Sequence, residues 1–345
     1  MGARMKVELL DPRHDPEPGD WEELRRAAGQ RVTWRWDLLR AYAWAAQAPV
    51  VLAVLRRDGR AAGAVAASLR APRLGRGRYA DPRRSAAGRY AGLRRSPAGI
   101  VDVHAPGNRS QKGWWWRDEH DPELLSAYLR AVRRALGPGW RSTVWREVSE
   151  GEDALLPGPL RLRIPTAPLA RLALPWPRLD DWYAVLDPRR RDSLRRRAKT
   201  FAAELSVRVG PARDLVGADE AARLRAENDL KHRSRLSPAP PLPLPYLETL
   251  IGSGESVALT YRDGRRLLGL SLILDHPDWP VCLSWGAVPP EEGGRKHLYF
   301  DGYVRMIEWA IRSGRRGLVL GKGQAEVKRD LGAELRPSSA LAVPL

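Results

Sequence analysis

The sequence contains few of the residues from which disulfides, metal sites and covalent catalytic centres are built. Cys282 is the only cysteine among 345 residues, so no disulfide can form within the chain, and a reducing, cytoplasmic location is expected. The six histidines show neither HxH nor HxxxH spacing, so no metal site is predicted. No Ser-His-Asp or Cys-His arrangement stands out, and Cys282 lies in an apolar stretch that favours a core position. The sequence therefore points away from a covalent nucleophile.

Long apolar segments are also missing. The longest apolar run, residues 41–55, is interrupted by Gln47 and Pro49 and is too short to span a bilayer. Residues 1–15 contain no apolar stretch of the kind that a secretory signal peptide needs. We therefore expect a protein without stable membrane insertion.

Acidic residues are too few to balance the basic ones. The chain has 59 Lys and Arg against 41 Asp and Glu, which gives a net charge of +18. Such an excess is typical of proteins with an anionic partner, which could be a nucleic acid, a phosphate-bearing ligand or a membrane surface. A generally basic, solvated surface is the alternative.

Two segments of the chain resemble each other. Residues 50–69 read VVLAVLRRDGRAAGAVAASL, and residues 257–274 read VALTYRDGRRLLGLSLIL. In each, Asp-Gly separates two apolar strands, a pattern that predicts a β-hairpin with a type I′ turn. The length of the chain favours two domains, and the repeat suggests that one arose by duplication of the other.

The segments after each hairpin also match, as helix, glycine stop and strand. The second helix is predicted to carry an Asp301–Arg305 ion pair on its polar face. Helices are expected over 20–28, 37–46, 124–136, 218–233 and from Tyr299 to Gly314, with strands over 142–148, 170–174 and 317–321. Residues 70–111 and 238–245 are expected to be irregular or extended. Each half is therefore predicted to be α+β, with a mixed, mostly antiparallel sheet flanked by helices.

Residues 187–205 predict a strongly basic helix. Asp187 is placed to cap it, and Pro188 fits its first turn. Only Asp192 and Glu204 are acidic, so its cations are expected to be largely unpaired locally, that is, by acids of the same helix. These cations are Arg189, Arg190, Arg191, Arg195, Arg196, Arg197 and Lys199. Such a face suits a phosphate backbone, and a solvated charged face is the alternative.

A glycine-rich turn, Gly321-Lys322-Gly323-Gln324, precedes Lys328. Glycines at a strand end let backbone N–H groups approach an anion or a carbonyl, and Lys328 could stabilise an oxyanion during acyl transfer. An ordinary loop with a solvent-exposed lysine is the alternative. The turn is not a Walker A loop, because the glycine-to-lysine spacing and the Lys-Ser/Thr pair are missing.

Three consecutive tryptophans end the segment NRSQKGWWW at residues 108–116. They are not expected to point into one core together, so at least one should be exposed or line a cleft. There it could stack on a base, a sugar or an acceptor substrate. A hydrophobic anchor beside a helix is the alternative.

In this order, the motifs of the chain resemble those of tandem-GNAT, Fem-type proteins, and the second half is similar to the BioF2-like branch of the GNAT acyltransferases. The resemblance covers roughly residues 21–337. It rests on RRRDSLRRRAK at 189–199, the RDGR hairpin at Arg262, the helix from Tyr299, LGKG at 320–323 and KRDLG at 328–332. It implies two GNAT-like domains, residues 1–165 on the acceptor side and residues 166–345 on the donor side.

Fem-type members transfer an aminoacyl group from aminoacyl-tRNA to an amine, without a cofactor or metal. In them the lysine before the last glycine lies near the donor end, and Lys328 matches that position. The usual GNAT pyrophosphate loop, Arg/Gln-x-x-Gly-x-Gly/Ala, is replaced here by PPEEGGRKH at residues 289–297, which disfavours CoA. The resemblance therefore implies a monomeric aminoacyltransferase whose partners are tRNA and a small-molecule or peptide amine. An acyl-CoA-dependent N-acyltransferase and a non-catalytic RNA-binding protein are the alternatives.

These interpretations assign the expected site residues. The catalytic group consists of Lys328, Gly321 and Gly323. The residues expected to bind the donor or tRNA are Arg189, Arg190, Arg195, Arg196, Lys199, Lys322 and Tyr299. Those expected to bind the acceptor are Arg109, Lys112, Trp115 and Trp116.

Overall fold

A computed structural model of the protein shows two compact units. It describes residues 5–46, 48–70, 99–108, 110–117, 122–152, 156, 160–231 and 242–345. The first unit comprises Met1–Ala167 and Pro337–Leu345, and the second comprises Pro168–Arg336. The C-terminal residues thus belong to the first unit, whereas the sequence placed all of 166–345 in one domain.

The first unit contains three helices and most of seven strands among its described residues. The helices are α1 (Trp21–Ala27), α2 (Trp36–Ala45) and α3 (Pro122–Leu136). The strands are β1 (Met5–Leu10), β2 (Val50–Arg57), β3 (Arg60–Arg70), β4 (Gly99–Val103), β5 (Trp114–Trp116), β6 (Trp140–Val148) and, at the end of the chain, β13 (Glu334–Pro344).

The second unit begins within strand β7. Its strands are β7 (Leu162–Ala173), β8 (Ser206–Pro211), β9 (Ser256–Asp263), β10 (Arg266–Leu274), β11 (Val281–Ala287) and β12 (Gly317–Gly321). Its helices are α4 (Leu179–Ala184), α5 (Pro188–Glu204), α6 (Ala218–Lys231), α7 (Leu244–Gly252), α8 (Leu298–Arg312) and α9 (Ala325–Arg329). None of the helices that the structure describes is long and apolar enough to cross a membrane.

The two units have the same strand order and the same strand directions. The order is β1-β2-β3-β4-β6-β13 in the first unit and β8-β9-β10-β11-β12-β7 in the second. In each sheet the fourth and fifth strands, β4 with β6 and β11 with β12, are parallel, and the other neighbours are antiparallel. This match confirms the predicted mixed, mostly antiparallel sheets and supports the duplication.

The two predicted hairpins share a bulge at equivalent positions. The register shift leaves Ala62 as the extra residue in the first hairpin and Leu268 in the second, each directly before a glycine. This correspondence makes Gly63 and Gly269 equivalent positions of the two units.

The turns of the two hairpins differ. Asp58 and Gly59 both have positive φ, +49° and +83°, as the predicted type I′ turn requires. In the second hairpin the turn residues are Gly264 and Arg265, and only Gly264 has positive φ, as in a type II′ turn. The type I′ prediction is wrong there, because one additional residue before Gly269 moves the turn along the chain by one position.

Both faces of the first unit's sheet are covered by helices, and the three tryptophans of β5 point alternately to them. Trp114 and Trp116 pack into the core that includes α3, and Trp115 packs into the core that includes α1 and α2. All three are at most 7% exposed. The expectation that one would be exposed is wrong, because consecutive strand residues face opposite sides and each side has its own core.

Several other sequence predictions are corrected by the structure. Asp301 is not on the polar face of α8, since it is fully buried and accepts a hydrogen bond from the Tyr261 hydroxyl (2.7 Å). Its pairing with Arg305 is confirmed, at 3.3 Å. Strand β4 agrees with the irregular or extended chain that is expected over 70–111, of which 71–98 and 109 are not described. Helix α7 begins inside 238–245, at Leu244, with Pro245 in its first turn, where a proline is tolerated.

Candidate active site in the second unit

The parallel strands β11 and β12 are paired over a much shorter length than the strands themselves. Their register is fixed at Val281 opposite Val319, where the Val319 N–H donates to the Pro280 carbonyl (2.9 Å). Strand β11 continues to Ala287 and β12 to Gly321 without further pairing between them. The backbone groups of β11 beyond Cys282 are therefore not used by β12.

A β-bulge lies on the same part of β11. Cys282 pairs with Ile273 of β10 and Ser284 pairs with Leu272, so Leu283 is the extra residue. A bulge bends its strand and redirects the neighbouring side chains, and bulges are common beside active sites. The residues that follow it, Ser284 and Trp285, are half-buried.

Lys328 lies on α9, directly after the glycine-rich turn, and is only 2% exposed. Its Nζ donates to the carbonyl oxygens of Gly321 (3.1 Å) and Lys322 (3.0 Å). These carbonyls face the lysine because the turn is left-handed at Gly321 and Gly323, where φ is +74° and +78°. The turn therefore contributes acceptors that hold the ammonium group, whereas the sequence predicted backbone N–H donors facing a ligand.

The environment of Lys328 makes its charged form less stable than it is in water. Burial lowers the pKa of its ammonium group to about 8, and no described carboxylate pairs with it. At pH 7 most molecules still carry the charge. A lysine ammonium has three N–H donors, and the two carbonyls use two of them. One donor thus remains for a bound carbonyl or oxyanion.

The thiol of Cys282 interacts electrostatically with Lys328 and is uncharged. Burial raises the pKa of the Cys282 thiol to about 12, so this group stays protonated and is a poor nucleophile. The hydroxyls of Tyr299 and Tyr303 are hydrogen-bonded at 2.5 Å, and burial raises the pKa of both. The ring of Trp285 packs edge-on against Tyr299, with centroids 5.7 Å apart. Tyr299 and Tyr303 interact electrostatically with Cys282, which in turn interacts with Lys328, so these neutral groups form a connected series that ends at the lysine.

The backbone conformation of the loop at 289–297 requires glycine at positions 293 and 294. A Cβ on Gly294 would lie 1.9 Å from the Val288 carbonyl oxygen, and Gly293 has φ of +86°. Any side chain at either position would collide or be strained. The loop therefore closes on itself before α8.

The predicted basic helix α5 is confirmed, and Asp187 caps it by accepting from the Arg190 N–H (3.1 Å). Within the helix only Arg191 pairs with an acid, Asp192, as the local prediction expects, but acids from other segments also reach the helix. Arg190 pairs with Asp330 at 3.2 Å and Arg195 pairs with Asp180 at 2.7 Å. Arg189, Arg196 and Lys199 are exposed, and Lys322 is half-buried in the glycine-rich turn.

The residues predicted to bind the acceptor are in the first unit and do not come together. Lys112 forms an ion pair with Glu152. Trp115 packs against Trp21 and Trp34, with both centroid distances at 5.7 Å, while Trp116 faces the other core. Arg109 lies outside the described residues.

Sequence reasoning missed the bulge at Leu283 and the neutral groups around Lys328. Cys282, Trp285 and Tyr303 are far from Lys328 along the chain, and no local motif marks them. The early end of the β11–β12 pairing also has no local sequence signal. Among the described residues, no group of three or more His, Cys, Asp or Glu side chains could hold a metal ion.

Comparison with known proteins supports the fold. No protein-family model matches the chain, and no curated protein matches it. Among solved structures, L-PGS from Bacillus licheniformis matches with a TM-score of 0.59 and 11% identity, over 95% of this chain and 92% of that chain. FemX matches with a TM-score of 0.58 and 10% identity, over 96% of both chains.

A third structure is similar over nearly the same length. It is the C-terminal domain of a putative lysylphosphatidylglycerol synthetase from Agrobacterium fabrum, with a TM-score of 0.57 and 12% identity, covering 94% of this chain and 91% of that chain. Identities this low establish the fold alone. The chain thus has the two-unit fold of FemX and L-PGS, which confirms the predicted tandem GNAT-like architecture.

Proposed function

We propose that the protein is an acyltransferase that moves an aminoacyl group from aminoacyl-tRNA to an amine of a small-molecule or peptide acceptor. The observation that carries the proposal is the buried Lys328 ammonium beside the unpaired edge of β11. A strand edge can hold an acyl group through its backbone, and the cation can stabilise the charge that develops on the carbonyl oxygen.

The chemistry requires no covalent enzyme intermediate. The acceptor nitrogen attacks the ester carbonyl of the charged tRNA, a C–N bond forms, and the C–O bond to the ribose breaks. The nitrogen loses a proton and the ribose hydroxyl gains one. Positioning and oxyanion stabilisation are the main contributions left to the enzyme, and the high pKa of the Cys282 thiol agrees with a direct transfer.

The proposed role of Lys328 predicts how the rate of transfer depends on pH. Only its protonated form has a positive charge and a third N–H beyond the two that the Gly321 and Lys322 carbonyls accept, and its pKa is about 8. The fraction able to donate is therefore high at pH 7 and falls as the pH rises through 8. The rate of transfer should decrease with it, unless deprotonation of the acceptor amine offsets the loss.

Two observations favour tRNA over CoA as the donor. Residues 289–297 lack the usual pyrophosphate loop, and the glycines there serve backbone packing. The chain also carries a net charge of +18, which suits a polyanionic donor. The name lysylphosphatidylglycerol synthetase, given to one structural match, also denotes an aminoacylated product.

The decisive experiment is incubation of the protein with charged total tRNA and a panel of amines, read by mass spectrometry for new amides. Phosphatidylglycerol is tested beside the panel as a hydroxyl acceptor, and its product would be a new ester. Transfer that is abolished by RNase supports the proposal. Transfer that survives RNase and requires an acyl-CoA would replace it with the CoA-dependent alternative. RNA binding without any product would favour a non-catalytic RNA-binding protein.

A further inference from the structure

The seven cations of α5 fall into two groups according to their contacts. Arg190 is held by Asp330 and lies over the Phe300 ring, 5.3 Å from its centroid. Arg195 is held by Asp180 and lies over the Tyr183 ring, at 4.8 Å. Arg197 also lies over the Phe300 ring, 5.3 Å from its centroid, and Arg191 contacts Asp192 at 3.2 Å. These four arginines are engaged in contacts within the second unit.

The other three cations, Arg189, Arg196 and Lys199, are exposed and have no carboxylate partner among the described residues. Positions 189, 196 and 199 lie within about 80° of one another around the helix axis and span about 15 Å along it. The buried residues Leu194 and Phe201 lie on the opposite face. Asp192 shares the exposed face, and Arg191 balances its charge.

The helix that carries this cationic strip packs beside the candidate active site through its other residues. It packs against Phe300, which follows Tyr299 in the chain. Its first turn is joined to Asp330, two residues after Lys328, through Arg190. Arg305 of α8 also donates to the Ala198 carbonyl of α5 (2.8 Å). A donor whose reactive end reaches Lys328 would therefore have its adjoining phosphates close to α5.

We infer that Arg189, Arg196 and Lys199 bind backbone phosphates near the aminoacylated end of tRNA, whereas Arg190 and Arg195 position α5. This rests on the proposed function for the identity of the donor. Unpaired, exposed cations displace the counterions condensed on RNA phosphates, and this release is a large source of affinity for RNA. The residues beside the strip, Asp192, Thr200 and Ala203, offer no large apolar side chain that could insert into a membrane. RNA therefore fits the strip better than a lipid surface.

The test compares three variants that remove positive charges. The strip variant is Arg189→Gln/Arg196→Gln/Lys199→Gln. Its matched control, Arg60→Gln/Arg130→Gln/Arg141→Gln, removes the same charge from exposed positions of the first unit. The third variant, Arg190→Gln/Arg195→Gln, removes the paired arginines. Binding of uncharged total tRNA is measured from 50 to 300 mM salt, with anionic vesicles as a second ligand.

The strip variant should raise the Kd for tRNA at least tenfold and reduce the slope of log Kd against log salt by about two. The Kd of the control should stay within twofold of wild type. The third variant should have a lower melting temperature and a salt slope close to that of wild type. A strip variant within twofold of wild type, an equal loss in the control, or a loss confined to vesicles would overturn the inference. If tRNA binding depends on the strip as expected but no charged tRNA supports transfer by the wild-type protein, the proposed function alone would be contradicted.

Discussion

The two units have the same topology, but their equivalent parallel strand pairs differ in length. In the first unit β4 and β6 remain paired over five residue pairs, and β5 continues alongside β3. In the second unit β11 and β12 pair at a single position, and β11 alone continues beside β10. Counted from the equivalent glycines, the two parallel pairs end within one residue of the same position, at Val103 and Val281, and beyond it the chain pairs only with the third strand in both units. The buried cation Lys328 lies beside this position in the second unit.

The strand register shows which residue of the first unit occupies the position of Trp285. Counting from Gly63 and Gly269, Trp114 and Trp285 are equivalent, since they pair with Val65 and Ser271 respectively. Trp114 is 5% exposed and packs on Trp145, with centroids 5.2 Å apart. Trp285 is half-buried and packs on Tyr299 beside the open edge. One tryptophan completes a core, and the other lines the candidate site.

The largest expected effect is on catalysis by the second unit. Replacement Lys328→Met removes the donor to the oxyanion, and the loss of one such donor lowers transfer by about 100- to 1000-fold. Single-turnover transfer from charged tRNA would measure it. Lys6→Met, in β1 of the first unit, is the control and should be indistinguishable from wild type. A Lys328→Met enzyme with near-normal rates would remove this residue from the mechanism.

The equivalent tryptophans should separate stability from activity. Trp114→Ala opens a cavity in a closed core and should lower the free energy of unfolding by about 4 kcal/mol. Trp285→Ala should cost only about 1–2 kcal/mol, because that ring is partly exposed, yet it should reduce transfer. Urea denaturation and transfer assays on both variants test the difference. Equal losses of stability would show that the second site is as closely packed as the first.

The equivalent glycines offer a sharper contrast. A Cβ on Gly63 would lie 2.3 Å from the Trp116 ring and 2.6 Å from the Trp115 carbonyl, whereas a Cβ on Gly269 has its nearest neighbour at 3.2 Å. Gly63→Ala should therefore destabilise the protein by about 3 kcal/mol, and Gly269→Ala by less than about 1 kcal/mol. Thermal melting of the two variants would reveal this, and a tolerated Gly63→Ala would contradict the placement of β5.

The smallest effect concerns the pH dependence of stability. The folded-state pKa of Lys328 is about 8, below the usual 10.5, so the unfolded chain binds more protons between these values. Wild-type stability should rise relative to Lys328→Met as the pH increases through this window, by roughly 2 kcal/mol at pH 10. Parallel denaturation curves at pH 7 and pH 10 measure it. A constant difference between the two proteins would mean that the lysine is not desolvated.

The framework could be predicted from the sequence because its signals are local. The Asp-Gly hairpins, the glycine stop after α8, the strand at Gly317–Gly321 and the cap at Asp187 all depend on neighbouring residues. The tryptophans of β5 and the burial of Asp301 were misjudged, because their surroundings come from distant segments. The open edge of β11 depends on where pairing with β12 stops, and periodicity does not encode this.

The central claim is that the aminoacyl end of the donor binds at the open edge of the second unit. It can be located with tRNA charged with a photoreactive amino acid, cross-linked to the protein and mapped by peptide mass spectrometry. The account predicts cross-links within 281–287 and 321–328, and their loss when unmodified charged tRNA competes. Cross-links concentrated around Trp114–Trp116 of the first unit would contradict it.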